Sequence, residues 1–224
     1  MAKRSGKGSE ERVDGPEAFR AAFGVSRETA ERLTLYAALL GQWSKVQDLV
    51  APGTLTEIWS RHFADSAQLL ALIPEEARVL VDLGTGAGFP GLVIAILAAE
   101  RGGAGLEVHL VESNGRKCAF LRDVARQTGA FVEIHATRIE NVASQRIVSA
   151  ADVVTARALA PLDRLLGLAE PLMGAQALGL FAKGRDFASE IESAGRSWAF
   201  ELTAHISRTD PDSRILAVRR PVRR

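Results

Sequence analysis

The sequence has one cysteine, Cys118, and no long run of apolar residues among its 224 positions. A lone thiol cannot form an intramolecular disulfide, and a cysteine-based metal site would require several thiolates. This scarcity favours a reducing compartment, and we expect a cytoplasmic protein. Because no apolar run approaches the ~20 residues of a membrane-spanning helix, we expect no association with a membrane.

A large excess of charge is also absent. The sequence has 28 lysine and arginine residues against 27 aspartate and glutamate residues, which gives a net charge of +1. Proteins that bind nucleic acid through bulk charge are usually more basic, so a nucleic-acid partner would have to contact a local basic patch. The four histidines show no metal-ligand spacing, and we therefore expect no metal ion.

The N-terminal third of the sequence divides into two parts. Residues 1–15 are rich in glycine, serine and charge, and they lack the apolar stretch of a secretory signal, so we expect a disordered tail. In residues 16–75 the apolar positions recur at helical spacing, with Ser26 as an N-cap and a capping-box pattern from Thr54 to Glu57. This second part predicts an N-terminal helical cap.

Residues 76–224 alternate short apolar runs with helical stretches. Buried strands that alternate with helices indicate an α/β fold in which helices cover both faces of a parallel sheet. The last two strands have no helix between them and predict an antiparallel hairpin. We therefore predict a seven-stranded, mostly parallel, Rossmann-like sheet. The expected strands lie at 79–81, 108–111, 131–134, 153–154, 178–181, 200–206 and 215–218, and the expected helices at 90–99, 116–128, 162–173 and 187–198.

The most informative segment is Asp82-Leu83-Gly84-Thr85-Gly86-Ala87-Gly88-Phe89-Pro90-Gly91, which directly follows the first predicted strand. Glycines let the backbone turn sharply there and bring its N–H groups close to a ligand. The segment contains the dinucleotide fingerprint G-x-G-x-x-G, and a purely structural turn is a further alternative. Its Asp-x-Gly-x-Gly-x-Gly pattern resembles motif I of class I S-adenosylmethionine-dependent methyltransferases. The resemblance implies S-adenosylmethionine as cofactor, whose ammonium group suits an acidic residue beside the loop.

Two later segments fit the same cofactor. Glu112 ends the second predicted strand, where a carboxylate can accept hydrogen bonds from both ribose hydroxyls, although it could instead cap the next helix. Ile139, after the third strand, is a candidate contact for adenine, although a polar loop before a helix would look similar. The residues that these motifs place around the cofactor are Asp82, Gly84, Thr85, Gly86, Gly88, Phe89, Glu112, Ser113, Arg138, Ile139 and Glu140.

Missing motifs narrow the choice of methyl acceptor. The segment after the fourth strand lacks the Asn/Asp-Pro-Pro-Tyr/Phe motif that is common in methyltransferases of exocyclic amines. Methylation of a pyrimidine at C5 requires a cysteine nucleophile, whereas Cys118 lies in the helix after strand two and is expected to be a small buried residue. N7 of guanine needs neither device, because its lone pair is already nucleophilic. Alignment with the methyl donor then supplies much of the rate enhancement.

Several motifs together resemble the bacterial small-subunit ribosomal RNA guanine-N7 methyltransferase family, known as RsmG or GidB. The family pattern Arg-His-x-x-Asp-Ser is typical of this family alone, whereas the glycine motif only indicates a methyltransferase. The chain departs from the family pattern at Asp48, Val50, Ala87, Phe89 and, where the family has serine, Ala156. The matching segments are 61–66, 82–91, 116–121, 156–158 and 183–184.

The resemblance implies methylation of 16S rRNA in the small ribosomal subunit. It implies that Asp65 and Ser66 close the methionine end of the cofactor pocket. Arg157 and Lys183 end parallel strands at the sheet edge where ligands bind, and they are assigned as the catalytic residues, with Arg157 also in the cofactor set. A surface ion pair between Arg61 and Asp65 is the alternative for the first motif. No helix is apolar all round, so we expect a monomer.

Basic residues form the predicted contact with RNA, although each alone could be a solvated charge. His62 could be a buried core histidine, a packing element or an RNA contact. A methyltransferase of small molecules or proteins, and a non-catalytic cofactor-binding module, remain the alternative functions. The candidate RNA contacts are Arg116, Lys117, Arg122 and Arg126 on one helix, Arg157, Lys183, Arg185, and the basic tail at 219–224, expected to act as an electrostatic arm.

Overall fold

A computed structural model of the chain describes residues 13–100, 105–144, 148 and 150–224. Most of the predicted tail therefore lies outside the described residues. Two helices come first, α1 (Pro16–Phe23) and α2 (Arg27–Trp43). Ser26 caps α2 as predicted, because its hydroxyl oxygen accepts a hydrogen bond from the Thr29 amide at 3.1 Å.

The next helical segment changes its winding three times before the sheet begins. A 3₁₀ turn (Pro52–Glu57) leads into a π-helical turn (Trp59–Ala64), which is followed by α3 (Asp65–Ala67) and a second 3₁₀ turn (Gln68–Leu72). The prediction of a capping box from Thr54 to Glu57 is wrong, since the Thr54 hydroxyl donates to the Ala51 carbonyl oxygen instead of capping an α-helix. Single π-helical turns are frequent at functional sites, and this one contains the Arg-His pair of the 61–66 motif.

Within the described residues, the sheet has seven strands in the order β3-β2-β1-β4-β5-β7-β6. β1 to β5 are parallel, whereas β7 runs antiparallel to both β5 and β6, so the predicted terminal hairpin is confirmed. The strands are β1 (Val79–Leu83), β2 (Glu107–Glu112), β3 (Glu133–Ala136), β4 (Ala151–Arg157), β5 (Met173–Lys183), β6 (Trp198–Ile206) and β7 (Arg214–Arg223).

Helices cover both faces of this sheet. One face packs against α2, α4 (Gly91–Glu100) and α5 (Gly115–Thr128). The other packs against α6 (Ile139–Ser144), α7 (Leu162–Ala169) and α8 (Phe187–Ser197). The core on the first face contains residues from both sides of the expected boundary at 75/76, so the N-terminal helices and the sheet share one core. Among the described residues, no helix is long and apolar enough to cross a membrane.

Two predictions about strands are wrong. The third strand begins at Glu133 rather than at 131, and the Phe131 side chain is 85% exposed. Nor is the basic segment at 219–224 a free arm, because all but its last residue lies in β7, which pairs with strands on both sides. The Arg219 guanidinium donates to the Gln176 carbonyl oxygen at 2.7 Å, and Arg220 pairs with Glu201 at 3.1 Å, so two of the four arginines of this segment are already engaged within the protein.

A buried tyrosine joins the N-terminal helices to the glycine loop. The Tyr36 hydroxyl donates to the Ala87 carbonyl oxygen, and its ring stacks on Phe89 with centroids 5.4 Å apart.

Tyr36→Phe should lower the free energy of unfolding by about 1–2 kcal/mol, because the Ala87 carbonyl then stays buried without its donor. Urea unfolding measures the change. Thr34→Ala changes an exposed residue of the same helix whose hydroxyl donates only to the Ala30 carbonyl oxygen one turn earlier, and it should stay within about 0.5 kcal/mol. An unchanged midpoint for Tyr36→Phe would contradict the role of the Tyr36–Ala87 bond.

Candidate active site

A cavity of about 1240 Å³ opens at the carboxyl ends of β1, β4 and β5. Ligands of open α/β sheets bind at this edge, and the volume exceeds that of most single-ligand pockets. Three further walls come from the π-helical turn, from the segment after β4 and from the loop between β6 and β7. The lining residues used below are Thr54, Glu57, Arg61, His62, Asp65, Gly84, Thr85, Gly86, Phe89, Lys117, Arg157, Ala158, Lys183, Glu190 and Thr209.

Two glycines of the loop after β1, Gly86 and Gly88, have different surroundings. Gly86 has φ +59, and a Cβ there would have only a backbone oxygen, 3.8 Å away, within 4 Å, so this side of the loop is open. Gly88 has φ +92, and a Cβ there would collide with Tyr36 and lie 2.9 Å from the Cβ of Leu92. Gly86 thus presents backbone to the cavity, whereas Gly88 allows close packing beneath it.

Asp82 does not face the cavity, contrary to the prediction that it meets the cofactor's ammonium group. Its carboxylate is fully buried and accepts hydrogen bonds from the Gly91 amide at 2.9 Å and the Thr155 hydroxyl at 2.7 Å. Burial raises the pKa of Asp82 to about 6, while these hydrogen bonds act to lower it. The carboxylate therefore fastens α4 and β4 to β1, and it positions the glycine loop from below.

Glu112 ends β2 at the same edge, as predicted. Its side chain is buried, and its two oxygens accept hydrogen bonds from the amides of Gly86 at 3.1 Å and Asn114 at 2.8 Å. The helix-cap alternative is wrong, since the side chain of Asn114 accepts from the first amides of α5. The carboxylate thus links the glycine loop to the end of β2. Cys118 lies below it and is buried, as predicted.

Arg157 connects the end of β4 to the π-helical turn. One guanidinium nitrogen donates to the Arg61 carbonyl oxygen at 2.9 Å and lies 3.3 Å from the Asp65 carboxylate. The other lies 2.9 Å from Nδ1 of His62, and the guanidinium stands 5.1 Å from the centroid of the Phe89 ring. Three groups of the 61–66 motif and one ring of the glycine loop therefore meet around one cation from β4.

Asp65 is the carboxylate of this group that lines the cavity. Besides Arg157, it accepts hydrogen bonds from Gln68 at 3.0 Å and from the Thr209 hydroxyl at 2.9 Å. The alternative of an Arg61–Asp65 ion pair is wrong, because Arg61 pairs with Glu57 at 3.3 Å. Sequence reasoning missed Thr209, which comes from the β6–β7 loop, and no motif marks it.

His62 is a buried histidine with both ring nitrogens engaged. Nδ1 faces Arg157, Nε2 lies 2.9 Å from the Thr54 hydroxyl, and the ring stacks on Phe89 with centroids 4.7 Å apart. An arginine can only donate, so Nδ1 accepts and the proton lies on Nε2. Burial, followed by the charges of Arg157 and Arg61, lowers the pKa of His62 to about 3. The imidazole is neutral at physiological pH.

The shifted pKa of His62 predicts an acid-dependent loss of stability. The unfolded chain gains a proton on this residue near pH 6.5 and the folded chain only near 3, so its contribution is complete above pH 6.5 and is lost as the pH falls. Wild type should lose up to about 1.4 kcal/mol per pH unit relative to His62→Gln over this window. Urea unfolding of both proteins from pH 7 to 4 measures the difference; a pH-independent difference would contradict the assignment.

Lys183 lies at the end of β5, as expected, but its ammonium group is already engaged. It lies 2.6 Å from the Glu190 carboxylate and donates to the Ala160 carbonyl oxygen at 2.5 Å. Glu190 also accepts from the Leu162 amide at 2.8 Å. Lys183 therefore holds the segment after β4 against α8.

Next to Arg157, Ala158 has a left-handed backbone with φ +52, a conformation that concentrates at functional sites.

Like Asp82, Gly88 and Glu112, the remaining predicted cofactor residues are not among those that line the cavity. Ser66 is buried, and its hydroxyl donates to the His62 carbonyl oxygen at 2.6 Å. Ser113 is exposed and follows Glu112, while residues 138–140 follow the end of β3. Because Glu112 pairs with Ala136 in the sheet register, these segments lie at the same edge, beside the cavity.

Of the candidate RNA contacts, Lys117 lines the cavity at the start of α5. Arg116, Arg122 and Arg126 share this helix, and Arg126 pairs with Asp123 at 2.7 Å. Arg185 is exposed just beyond β5. Of the candidate RNA contacts, Lys117, Arg157 and Lys183 therefore line the cavity, whereas Arg116, Arg122, Arg126 and Arg185 do not.

The model of the family described as rRNA small subunit methyltransferase G (GidB) matches residues 29–212. A protein of Parvibaculum lavamentivorans named ribosomal RNA small subunit methyltransferase G is 53% identical over 91% of this chain and 88% of its own length. The protein of the same name from Rhodospirillum centenum is 54% identical over 88% and 87%.

Solved structures with low sequence identity share the fold. The structure of a Listeria monocytogenes protein assigned as a class I S-adenosylmethionine-dependent methyltransferase has a TM-score of 0.60 at 12% identity, over 85% of this chain and 68% of that chain. The O-methyltransferase of Bacillus cereus in complex with SAH has a TM-score of 0.55 at 13% identity, over 92% and 100%. The fold is that of class I methyltransferases.

Proposed function

The chain belongs to the rRNA small subunit methyltransferase G family, and we propose that it transfers the methyl group of S-adenosylmethionine to N7 of a guanine in 16S rRNA. The observation that carries this proposal is that the 61–66 motif meets the glycine loop. Asp65 and His62 of the motif contact Arg157, which lies over the Phe89 ring, in the lining of the cavity that Gly86 also lines. We further propose that the protein works in the cytoplasm, where bacterial ribosomes are, and that it is a monomer.

The described residues fit S-adenosylmethionine. Gly86 presents open backbone, and Glu112 provides a buried carboxylate at the end of β2 for the ribose hydroxyls. Asp65, in place of Asp82, offers the carboxylate for the ammonium group, since it lines the cavity. Ile139, partly buried after β3, remains the proposed adenine contact. When bound, S-adenosylmethionine supplies an electrophilic methyl group on a sulfonium centre.

The chain's own groups suit an acceptor that has no proton to lose. His62 donates at Nε2, its Nδ1 lone pair is engaged by Arg157, and its low pKa makes that nitrogen a weak base, so it does not serve as a general base. Arg157 also lacks a basic lone pair. A guanine N7 attacks with its ring lone pair, so these residues need only hold the base in line with the methyl group and exclude water.

We assign the substrate side of the cavity to Arg157 and the surrounding basic residues. The Arg157 guanidinium is planar and is suited to a phosphate or to O6 of the base, while Lys117 provides a second positive charge in the cavity lining. Lys183 is a positioning residue in this proposal, because its ammonium group is held by Glu190 and Ala160.

Methyl transfer to purified ribosomal particles tests the function. Small subunits, large subunits and naked 16S rRNA, all from a strain that lacks this methylation, are incubated with the protein and methyl-labelled S-adenosylmethionine. We expect label in small-subunit RNA, recovered as 7-methylguanosine after nuclease digestion. Cofactor binding without label in any RNA would support a non-catalytic module, and label confined to protein or small molecules would support the other alternative. Either result would overturn the proposal.

A further inference from the structure

Two histidines and two glutamates meet on one face of the sheet, away from the cavity. Glu107 and His109 alternate along β2, and Glu133 and His135 alternate along β3. Side chains two residues apart on a strand share a face, and the register pairs His109 with Glu133. The four side chains therefore form one cluster across the edge pair of strands.

Three ligand atoms in this cluster converge on one point. Nδ1 of His109 lies 2.9 Å from Nε2 of His135 and 3.5 Å from the nearer carboxylate oxygen of Glu133, which is 3.8 Å from Nε2 of His135. A point equidistant from the three atoms lies about 2.0 Å from each, which is the length of zinc–nitrogen and zinc–carboxylate bonds. The triangle therefore has the size of one face of a zinc coordination sphere.

The fourth side chain occupies the position of a supporting carboxylate. Glu107 lies 3.2 Å from Nε2 of His109, the ring nitrogen that faces away from the convergence point. A carboxylate there favours the proton on Nε2 and leaves the Nδ1 lone pair directed at His135 and Glu133. Metal-bound histidines commonly have such a carboxylate on their other nitrogen.

We propose that His109, Glu133 and His135 bind one divalent transition-metal ion, with zinc the best match. Two imidazoles and one carboxylate suit zinc, whereas magnesium and calcium prefer oxygen ligands alone. The Glu133 side chain is 57% exposed, which gives the ion a path from solvent and leaves room for water as a fourth ligand. The inference goes beyond the proposed methyl transfer and does not depend on it.

The ion has a structural role in this proposal. The cluster lies three residues before Glu112 on β2, about 10 Å from the proposed ribose contact along the strand. β3 has only four residues, and because it is an edge strand it pairs with β2 alone. A metal bond between β2 and β3 therefore fastens the edge strand just before the segment that carries Ile139.

Zinc binding by the full-length, tag-free protein tests the proposal. The protein is stripped with EDTA, titrated with zinc by calorimetry, and analysed for bound metal after desalting. We expect one zinc ion per chain and a higher melting temperature with zinc. Cobalt offers a second probe, since visible absorption bands report its coordination by imidazole in a tetrahedral site.

Matched variants separate this site from adventitious binding. His135→Gln and Glu133→Gln should each weaken zinc binding by about tenfold or more and abolish the rise in melting temperature. His205→Gln changes a histidine on β6, at the opposite edge of the sheet, and should bind zinc as wild type does. Absence of stoichiometric zinc from wild type, or wild-type affinity in both Glu133→Gln and His135→Gln, would overturn the proposal and leave a hydrogen-bonded histidine pair.

Discussion

Replacing Glu112 with alanine is expected to weaken the binding of S-adenosylmethionine by about 100-fold or more, because it removes the carboxylate that we propose accepts two charge-assisted hydrogen bonds from the ribose. The substitution also frees the Gly86 and Asn114 amides, which the carboxylate holds at 3.1 and 2.8 Å. The glycine loop then loses its link to the end of β2. Isothermal titration with S-adenosylmethionine measures the affinity directly.

Two further variants define the origin of this loss. Glu112→Gln keeps one accepting oxygen and should lose less affinity than the alanine variant. Glu76→Ala removes an exposed carboxylate just before β1, at the amino ends of the parallel strands, and this variant should bind S-adenosylmethionine as wild type does. If Glu112→Ala retained its fold by circular dichroism and bound the cofactor within threefold of wild type, Glu112 would not be the ribose contact.

Arg157→Ala should lower the turnover of small-subunit methylation by about 100-fold or more, a loss typical of removing one charged group at a reacting centre. The guanidinium joins Arg61, His62 and Asp65 in the cavity wall, and its removal takes away the planar cation that we propose holds the substrate. Cofactor affinity should fall by less than tenfold, since Glu112 and the glycine loop remain. Single-turnover kinetics at saturating cofactor, with a parallel binding titration, separate the two quantities.

The chemistry of arginine gives the control for this experiment. Arg157→Lys keeps the positive charge but cannot span the same three partners, so it should recover only part of the activity. Arg164→Ala removes an exposed arginine on α7 and should have wild-type turnover. An equal loss of cofactor affinity and turnover in Arg157→Ala would move this residue to the cofactor side.

The fold was predictable because its patterns are local. Apolar runs of strand length alternate with helical stretches after residue 76, and a glycine loop between a strand and a helix marks the cofactor edge. Short apolar segments also identified the final hairpin. Its place was not predictable, because periodicity identifies a strand but not its neighbours, and the sequence does not indicate that β7 lies between β5 and β6.

The site was predictable only in part, because a single sequence does not give the register between strands. Asp82 pairs with Leu110, two residues before Glu112, so the two carboxylates share a face of the sheet at different depths. Asp82 lies beneath the loop and accepts from the Gly91 amide, whereas Glu112, at the end of β2, accepts from the Gly86 amide. The same limit hid the histidine cluster, since His109 and His135 belong to different strands and their spacing matches no metal motif.

The position of β1 has a consequence for the order of folding. β6 and β7 are joined by a short loop, so their hairpin can form from local contacts early. β1, in contrast, pairs with β4, and the bond from Thr155 to Asp82 closes a loop of 73 residues. Closing such a loop costs chain entropy before any contact offsets it, so we expect the pairing of β1 with β4 to form late. Affinity for S-adenosylmethionine would then appear only in chains that have completed folding, and the ligand would serve as a probe of the native state.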